Sequence, residues 1–262
     1  MGLDLLLGNR KNISVFLILV ALNIPLIYAT WGHVWYSDDY QSILAFGFKQ
    51  MLSNNFYVGL GDLMEVRSDG HLHPVFYALN YILSLTDSAN SIHVIKIFFH
   101  VIASYLVYLV GSRFGFNYVI ASLASYLYTI NYSIHIKILS WNVWGSLIVN
   151  MITGLIMLLF AIKYFNTKSL KLLIGIFLLS LLTIFNMETG FAFPIIVGAL
   201  SVIYFLEKNI DAGQLISVVF VSIAPLIIYS LIAFNQTSSF MPLLDQRIDS
   251  SFSEFALLEY KD

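Results

Sequence analysis

Four short stretches of the 262-residue chain place ionisable side chains between long apolar runs. The first stretch, residues 35–40, holds two adjacent carboxylates, Asp38 and Asp39. Adjacent residues on a helix or strand point in different directions, so one acid could act as a general base while the other holds a metal or a hydrogen-bond network. The structural alternative is that Ser37 or Asp39 caps an amphipathic segment over residues 41–52. The spacing fits both interpretations equally.

The second stretch contains Asp69, His71 and His73. On an extended strand the two histidines would face the same way, and with Asp69 they could bind a divalent metal. A His-x-His pair is a weak metal signal, and the spacing favours a structural interpretation. In that interpretation Pro74 occupies the first position of a short helix and His73 simply precedes it.

The third stretch holds His135, Lys137 and Trp141, and the fourth is a turn at residues 186–190 that carries Glu188. Lys137 can pair with a lipid phosphate as a point charge. It can equally snorkel beside an interfacial Trp141, which the residue types alone favour. Glu188 is either a solvated turn residue or a functional group. His100 lies in the middle of an apolar run and is expected to make an interhelical hydrogen bond.

The composition requires that these residues be positioned by membrane helices. Hydrophobic residues make up 59% of the chain and charged residues only 11%, and the mean hydropathy is +0.82. Soluble domains carry about 25% charged residues, so an ordinary soluble enzyme is excluded, as is a disordered chain. A formal net charge of −2 provides no basic field for nucleic acid. The absence of cysteine excludes disulfides, thiol nucleophiles and cysteine-ligated metals.

The apolar runs predict an all-α polytopic membrane protein with about seven transmembrane helices. A span needs about 20 mostly apolar residues. The segment at 75–85 is too short to cross easily and is expected to form an interfacial or re-entrant helix in a long first outer loop, 32–91. Residues 1–234 are expected to form the transmembrane module, and the polar tail 235–262 could begin a further region. The seven expected spans are 13–31, 92–112, 117–134, 143–162, 170–185, 191–206 and 214–234.

Basic residues in short loops orient the spans. Alternation of seven spans places seven basic residues on one side, which the positive-inside rule makes cytoplasmic. All four chemistry-bearing stretches follow odd-numbered spans, so they share the opposite, outer face. Ionisable groups at membrane depth are costly and mark a functional site by default. The seven basic residues are Arg10, Lys11, Arg113, Lys163, Lys168, Lys171 and Lys208.

The order of these motifs over residues 13–206 resembles the GT-C fold of membrane glycosyltransferases that use polyprenyl-phosphate sugars. It is most similar to the protein O-mannosyltransferase family and its tetratricopeptide-bearing relatives. The sequence departs from that pattern where Asn186-Met187 replaces a Ser-Lys pair, where no proline follows His135, and in lacking the later spans and C-terminal domain of many relatives. The matching elements are Asp38-Asp39 after the first span, His73-Pro74 before a juxtamembrane helix, a span with His93 and His100, His135 followed by Trp141, and Glu188-Thr189-Gly190 leading to Pro194.

The resemblance implies an inverting glycosyltransferase on the outer membrane face. One acid of the Asp38-Asp39 pair would be the catalytic base. The resemblance implies no required cofactor, although a divalent metal could bind Asp69, His71 and His73. The implied partners are a polyprenyl-phosphate-linked sugar donor, a protein, lipid or glycan acceptor, and membrane lipids, with a bacterial inner membrane favoured over endoplasmic reticulum. The implied substrate-binding or lipid-phosphate-binding residues are Arg67, His73, Lys137, Trp141 and Glu188.

Two other function classes remain open. A transporter or lipid flippase should have ionisable groups near mid-span and helices broken there. In the sequence these groups lie mainly at span ends, with His100 the main exception. A non-catalytic scaffold with a GT-C-like bundle is the third possibility, which the altered Ser-Lys element would fit.

Overall fold

The computed structural model describes residues 10–30, 74–75, 78–79, 89–131, 143–186 and 188–237. This part of the chain is helical and contains no strand. The helices are α1 (Arg10–Thr30), α2 (Ala89–Arg113), α3 (Tyr118–Thr129), α4 (Val143–Thr167), α5 (Leu170–Ile184), α6 (Ala192–Leu206) and α7 (Ala212–Thr237), with a 3₁₀ turn at Glu188–Phe191 before α6.

Five of these helices are long and apolar enough to cross a membrane, which makes the chain a multi-pass membrane protein. Their apolar windows carry at most two charged residues each. The prediction of an all-α membrane protein is confirmed at this level. The five windows are Lys11–Tyr28, His93–Arg113, Leu147–Thr167, Thr189–Leu206 and Ala212–Thr237.

Two of the seven predicted spans are shorter than a membrane crossing. Helix α5 is apolar but has only 15 residues, and α3 has only 12. At 1.5 Å per residue, α3 is about 18 Å long, against about 30 Å for the hydrocarbon core. The described helix ends at Thr129, short of the predicted boundary near residue 134. At this end the Ile130 N–H still makes the helical bond to the Tyr126 carbonyl, whereas the Asn131 N–H bonds the Tyr128 carbonyl, three residues back, over 3.4 Å. Such an i→i−3 bond tightens the last turn of a helix.

Consecutive helices run antiparallel. Tyr108, near the end of α2, donates to Asn12 Oδ1 at the start of α1 over 2.9 Å. The Gln214 amide, in the first turn of α7, donates to the Phe165 carbonyl near the end of α4 over 3.0 Å. The starts of α1, α3, α5 and α7 therefore lie at one end of the bundle with the ends of α2, α4 and α6.

The two ends of the bundle differ in how the helices are joined. At one end, named here the short-turn end, the connections are residues 114–117, 168–169 and 207–211. Each contains a residue in the left-handed region: Gly115 (φ 85°), Lys168 (φ 51°) and Lys208 (φ 60°). Such a residue lets the next N–H groups satisfy the last carbonyls of a helix. The opposite end, the long-connection end, joins helices through residues 31–88, 130–142 and 185–191.

Small polar residues allow the helices to approach closely. Helix α2 packs against α1, α3 and α4, while α7 packs against α5 and α6. The Ser125 hydroxyl of α3 donates to the Ser104 carbonyl of α2 over 2.6 Å. The Ser180 hydroxyl of α5 donates to the Ser222 carbonyl of α7 over 2.7 Å. Such contacts replace hydrophobic driving force, which is absent between helices in lipid.

Candidate functional site

The 3₁₀ turn at Glu188–Phe191 lies against the last turn of α5. A Cβ atom on Gly190 would overlap the Thr183 carbonyl group. Only glycine therefore permits this approach of the two backbones. Pro194 is buried in the first turn of α6, where a missing N–H costs no intrahelical bond. The Glu-Thr-Gly…Pro pattern thus has a local structural reason: the glycine packs on α5 and the proline lies within the first turn of α6.

A buried amide from α4 holds this turn. Asn150 is 2% exposed, and its side chain lies 2.7 Å from the Asn186 amide. In the orientation that its neighbours favour, its oxygen accepts from the Gly190 N–H and the Thr189 hydroxyl, both at 3.2 Å, and its nitrogen donates to the Thr183 carbonyl at 3.3 Å. Asn150 therefore connects α4, the end of α5 and the 3₁₀ turn.

The segment that begins at Pro74 contacts the same place. The Val75 N–H donates to the Phe185 carbonyl over 3.1 Å. Phe185 is the C-cap of α5, and Val75 is helical. A carbonyl at a helix end has no intrahelical partner, and the Val75 N–H satisfies the one of Phe185. Val75 also packs on the cluster that contains Ile184, Phe185 and Tyr229.

This contact brings together two stretches that the sequence analysis singled out. Residue 75 follows the His73-Pro74 pair directly, and Phe185 begins the turn that leads to Glu188. They are far apart in the chain, yet their backbones are hydrogen bonded. The four described residues of the predicted interfacial helix, at 74–75 and 78–79, are helical.

A stripe of buried polar side chains follows one face of α2. His93, Lys96 and His100 are 3%, 1% and 0% exposed, and their spacing of three and four residues places them on one face. From His93 to His100 the stripe extends about 10 Å along the helix. All three residues are engaged in interactions. A lysine and two histidines inside a membrane helix mark a functional region by default.

The lower end of this stripe caps α3. The His100 Nε2 atom lies 3.1 Å from the Thr129 carbonyl oxygen. Because a carbonyl only accepts, Nε2 carries the hydrogen. The ring also lies 5.3 Å, centroid to centroid, from the Tyr128 ring. The prediction that His100 makes an interhelical hydrogen bond is confirmed. Since α3 ends at this level, His93 and Lys96 lie beyond it toward the long-connection end.

Most of the sequence-predicted site residues lie outside the described residues. Glu188 is the first residue of the 3₁₀ turn. Among the described residues, no group of three or more His, Asp or Glu side chains is placed to hold a metal ion. The predicted residues outside the described part are Asp38, Asp39, Arg67, Asp69, His71, His73, His135, Lys137 and Trp141.

Sequence reasoning missed two buried residues of this region, Lys96 and Asn150. Lys96 lies within one turn of the start of the apolar window His93–Arg113, so it agrees with the prediction that ionisable groups lie at span ends with His100 the main exception. A signal for it existed, since it is the sole charged residue in the apolar run 92–112. Asn150 gave no signal, because its partners all come from α5 and the turn that follows it, far along the chain.

No protein-family model, curated protein or solved structure matches this chain significantly.

Proposed function

We propose that the chain is a GT-C-type glycosyltransferase that moves a sugar from a polyprenyl-phosphate donor to an acceptor on the outer membrane face. The proposal rests on the order of the sequence motifs and on one contact in the structure. That contact is the hydrogen bond from Val75 to Phe185, which joins the His73-Pro74 stretch to the turn bearing Glu188. Convergence of separate motif-bearing stretches is what a shared site requires.

The long-connection end of the bundle suits this chemistry. All stretches with candidate site residues leave or enter helices there: residues 31–88, 130–142 and 185–191. A lipid-linked donor keeps its chain in the bilayer and its phosphate at the surface, so the reaction centre must lie at one end of the helices. The short-turn end has only connections of a few residues.

The proposed reaction is a single displacement. One carboxylate of the Asp38-Asp39 pair accepts the proton of an acceptor hydroxyl. The acceptor oxygen forms a bond to the anomeric carbon on the face opposite the lipid phosphate. The carbon–oxygen bond to the phosphate breaks, and the lipid phosphate leaves with the electron pair, so the configuration inverts. Because the phosphate is a good leaving group, positioning and charge stabilisation suffice. Arg67, His73 and Lys137 are the candidates for stabilising that charge, and Trp141 and Glu188 are candidates for holding the substrate.

The direct test is sugar transfer by the purified chain in lipid nanodiscs. The donors are polyprenyl-phosphate hexoses and pentoses, and the acceptors are peptide, lipid and glycan fractions. Asp38→Asn and Asp39→Asn are measured separately, because the two acids differ in role. We expect the variant of the base to lose transfer and Lys171→Ala, at the short-turn end, to retain it. Transfer that persists in both aspartate variants would overturn the proposed base.

A specific observation favours a transporter or lipid flippase as the second candidate. Lys96 and His93 are buried within α2, as ionisable groups of transporters are. Against it, α2 is continuous from Ala89 to Arg113, whereas transporter sites are typically formed by broken helices. Counterflow of a labelled polyprenyl phosphate across proteoliposomes, absent in Lys96→Met, would support this candidate over transfer.

A further inference from the structure

The structure assigns Asn150 a positioning role: we propose that its side-chain amide fixes the 3₁₀ turn and thereby the place of Glu188. The functional meaning of Glu188 rests on the proposed glycosyltransferase, whereas the fixing of the turn stands on the contacts alone. Asn150 touches the turn but no reacting group, so it is a positioning residue and not a catalytic one.

The hydrogen bonds of Asn150 tether the 3₁₀ turn to α4. Gly190 lies at the start of a helical element, where N–H groups have no intrahelical acceptor. Asn150 Oδ1 supplies that acceptor from a different helix, at 3.2 Å, and also takes the Thr189 hydroxyl. The site is buried, so water does not readily replace the amide. An N–H left without an acceptor there would carry the full cost of its desolvation.

The turn is clamped from a second side by α5. The Thr183 backbone lies so near Gly190 that no side chain fits between them. The Asn150 nitrogen donates to this same Thr183 carbonyl at 3.3 Å, and the Thr153 and Thr183 hydroxyls are 3.4 Å apart. The Asn150 amide thus bonds both Gly190 and Thr183, whose backbones are in close contact. These bonds hold the turn in a single position against the bundle.

The tether extends to the segment after His73-Pro74. The Asn186 amide lies 2.7 Å from the Asn150 side chain, and the preceding residue, Phe185, accepts from Val75. Moving residues 185–190 would therefore also move the backbone acceptor on which residue 75 depends. Asn150 is buried in α4, a helix that carries none of the sequence-predicted site residues, so its role is not visible from the motifs.

The absence of native cysteine makes a clean test of position possible without any assay of activity. Glu188→Cys introduces a single thiol on the turn, and its alkylation rate by a water-soluble maleimide reports access to it. Combining this with Asn150→Ala is expected to change the rate by about tenfold, the factor that loss of one buried hydrogen bond gives.

Two control variants separate positioning from general loss of structure. Asn166→Ala removes the same residue type from the same helix, where the described bond of the amide is to the Ile162 carbonyl of its own helix. Asn23→Ala removes a buried amide of α1 that bonds only the Leu19 carbonyl among the described contacts. Asn23→Ala should lower thermal stability yet leave the alkylation rate of the thiol at position 188 unchanged. A rate in Asn150→Ala equal to that in these controls would overturn the inference.

If Asn150→Ala does not fold, a second variant, Thr189→Val, tests whether Asn150 positions the turn. Thr189→Val replaces one partner of Asn150 by a side chain of similar shape at an exposed position. It removes one hydrogen bond and leaves the Gly190 bond in place, so we expect a smaller change in the same direction as Asn150→Ala. No change in Thr189→Val, with Asn150→Ala unfolded, would count against the tether.

Transfer kinetics distinguish failure of this inference from failure of the proposed function. With Glu188 restored, Asn150→Ala should lower kcat/KM chiefly by raising the KM for the substrate that Glu188 holds, while kcat changes less. If the alkylation rate changes but wild type transfers no sugar, the positioning role stands and the proposed function fails. If the rate does not change, the positioning role fails whatever the transfer assay shows.

Discussion

At the scale of single residues, the main feature of this bundle is that polar side chains are buried inside its apolar helices. The sequence predicted the bond that His100 makes, and it singled out the turn of Glu188. It did not predict Asn150, because an isolated asparagine in an apolar run has no pattern and acquires its partners only when α4 and α5 meet. Lys96 was visible as a charge in an apolar run, but its burial depends on how α2 packs. That one acid of the Asp38-Asp39 pair is the catalytic base stays a prediction.

Gly190 offers the sharpest single-residue prediction. Gly190→Ala places a Cβ against the Thr183 carbonyl, and neither backbone can yield without moving α5 or the turn. We expect the thermal midpoint of the purified protein to fall, with a destabilisation on the order of 1–3 kcal/mol, as for strained or overpacked sites. Differential scanning fluorimetry in one detergent measures it.

The matched control for this prediction is Gly198→Ala in α6. A Cβ atom there meets no atom within 4 Å, and alanine is the better helix former by about 1 kcal/mol. Gly198→Ala should leave the midpoint unchanged or raise it. Equal falls in both variants would show that the close contact at Gly190 is not the cause.

At the scale of elements, apolar runs predicted the existence and order of all seven helices. They did not predict where α3 ends, because Ile130, Tyr132 and Ile134 carry apolar character past Thr129, the last residue of the described helix. Nor did they predict the left-handed residues Lys168 and Lys208, since lysine has no preference for that conformation. Both are imposed by short connections between antiparallel helices.

The contact between the end of α4 and the start of α7 contributes to the stability of the fold in a pH-dependent way. Asp211 Oδ1 accepts from the Gln214 N–H at 2.8 Å, and Gln214 Oε1 accepts from the Asp211 N–H at 3.2 Å, which is a capping box. Lys168 Nζ lies 2.6 Å from the Asp211 carboxylate. The hydrogen bond from Lys168, followed by that from the Gln214 backbone, lowers the pKa of Asp211.

Asp211→Asn removes the ion pair but keeps an oxygen for the cap. The pKa of Asp211 is lower in the folded state than in the unfolded state. The ion pair therefore stabilises the fold fully at pH values above the ordinary carboxyl range. This stabilisation is lost as the pH falls through the folded-state pKa. We expect wild type to have the higher thermal midpoint at neutral pH, by a small margin since both groups are more than half exposed. That margin should close below about pH 4.

The control is Glu207→Gln, an exposed carboxylate of the same connection whose described contact is with the Asn209 amide. It should show no such pH-dependent margin. A margin for Asp211→Asn that persists or grows in acid would contradict the ion pair as its source.

At the scale of the whole molecule, the bundle has a short-turn end and a long-connection end. The basic residues of the predicted cytoplasmic side lie at or beside the short-turn end, and the connections that contain the candidate site residues join helices at the long-connection end. Alternation of apolar runs was sufficient to predict this separation, because it depends only on the order of the helices. Which stretches touch each other at the long-connection end was not predictable, since the bond from Val75 to Phe185 joins residues with no shared pattern.

Orientation in the membrane is a prediction of the positive-inside rule that single-cysteine variants can test. Ser169→Cys marks the short-turn end and Thr189→Cys the long-connection end. In intact right-side-out cells or vesicles, an impermeant maleimide should label the Thr189→Cys variant and not the Ser169→Cys variant, and permeabilisation should make both react. Labelling of the Ser169→Cys variant alone would invert the orientation and place the candidate site on the cytoplasmic side.

Binding of polyprenyl phosphate tests the proposed donor site most directly, because it depends on neither the sugar nor the acceptor. Titration of the purified chain, Asp38→Asn, Asp39→Asn and Lys137→Ala, with Lys171→Ala as the short-turn-end control, separates phosphate binding from base chemistry. We expect saturable micromolar binding, weakened about tenfold in Lys137→Ala by loss of one charge-assisted contact, and retained in the aspartate variants and the control. Absence of saturable binding to the wild-type chain would contradict the glycosyltransferase.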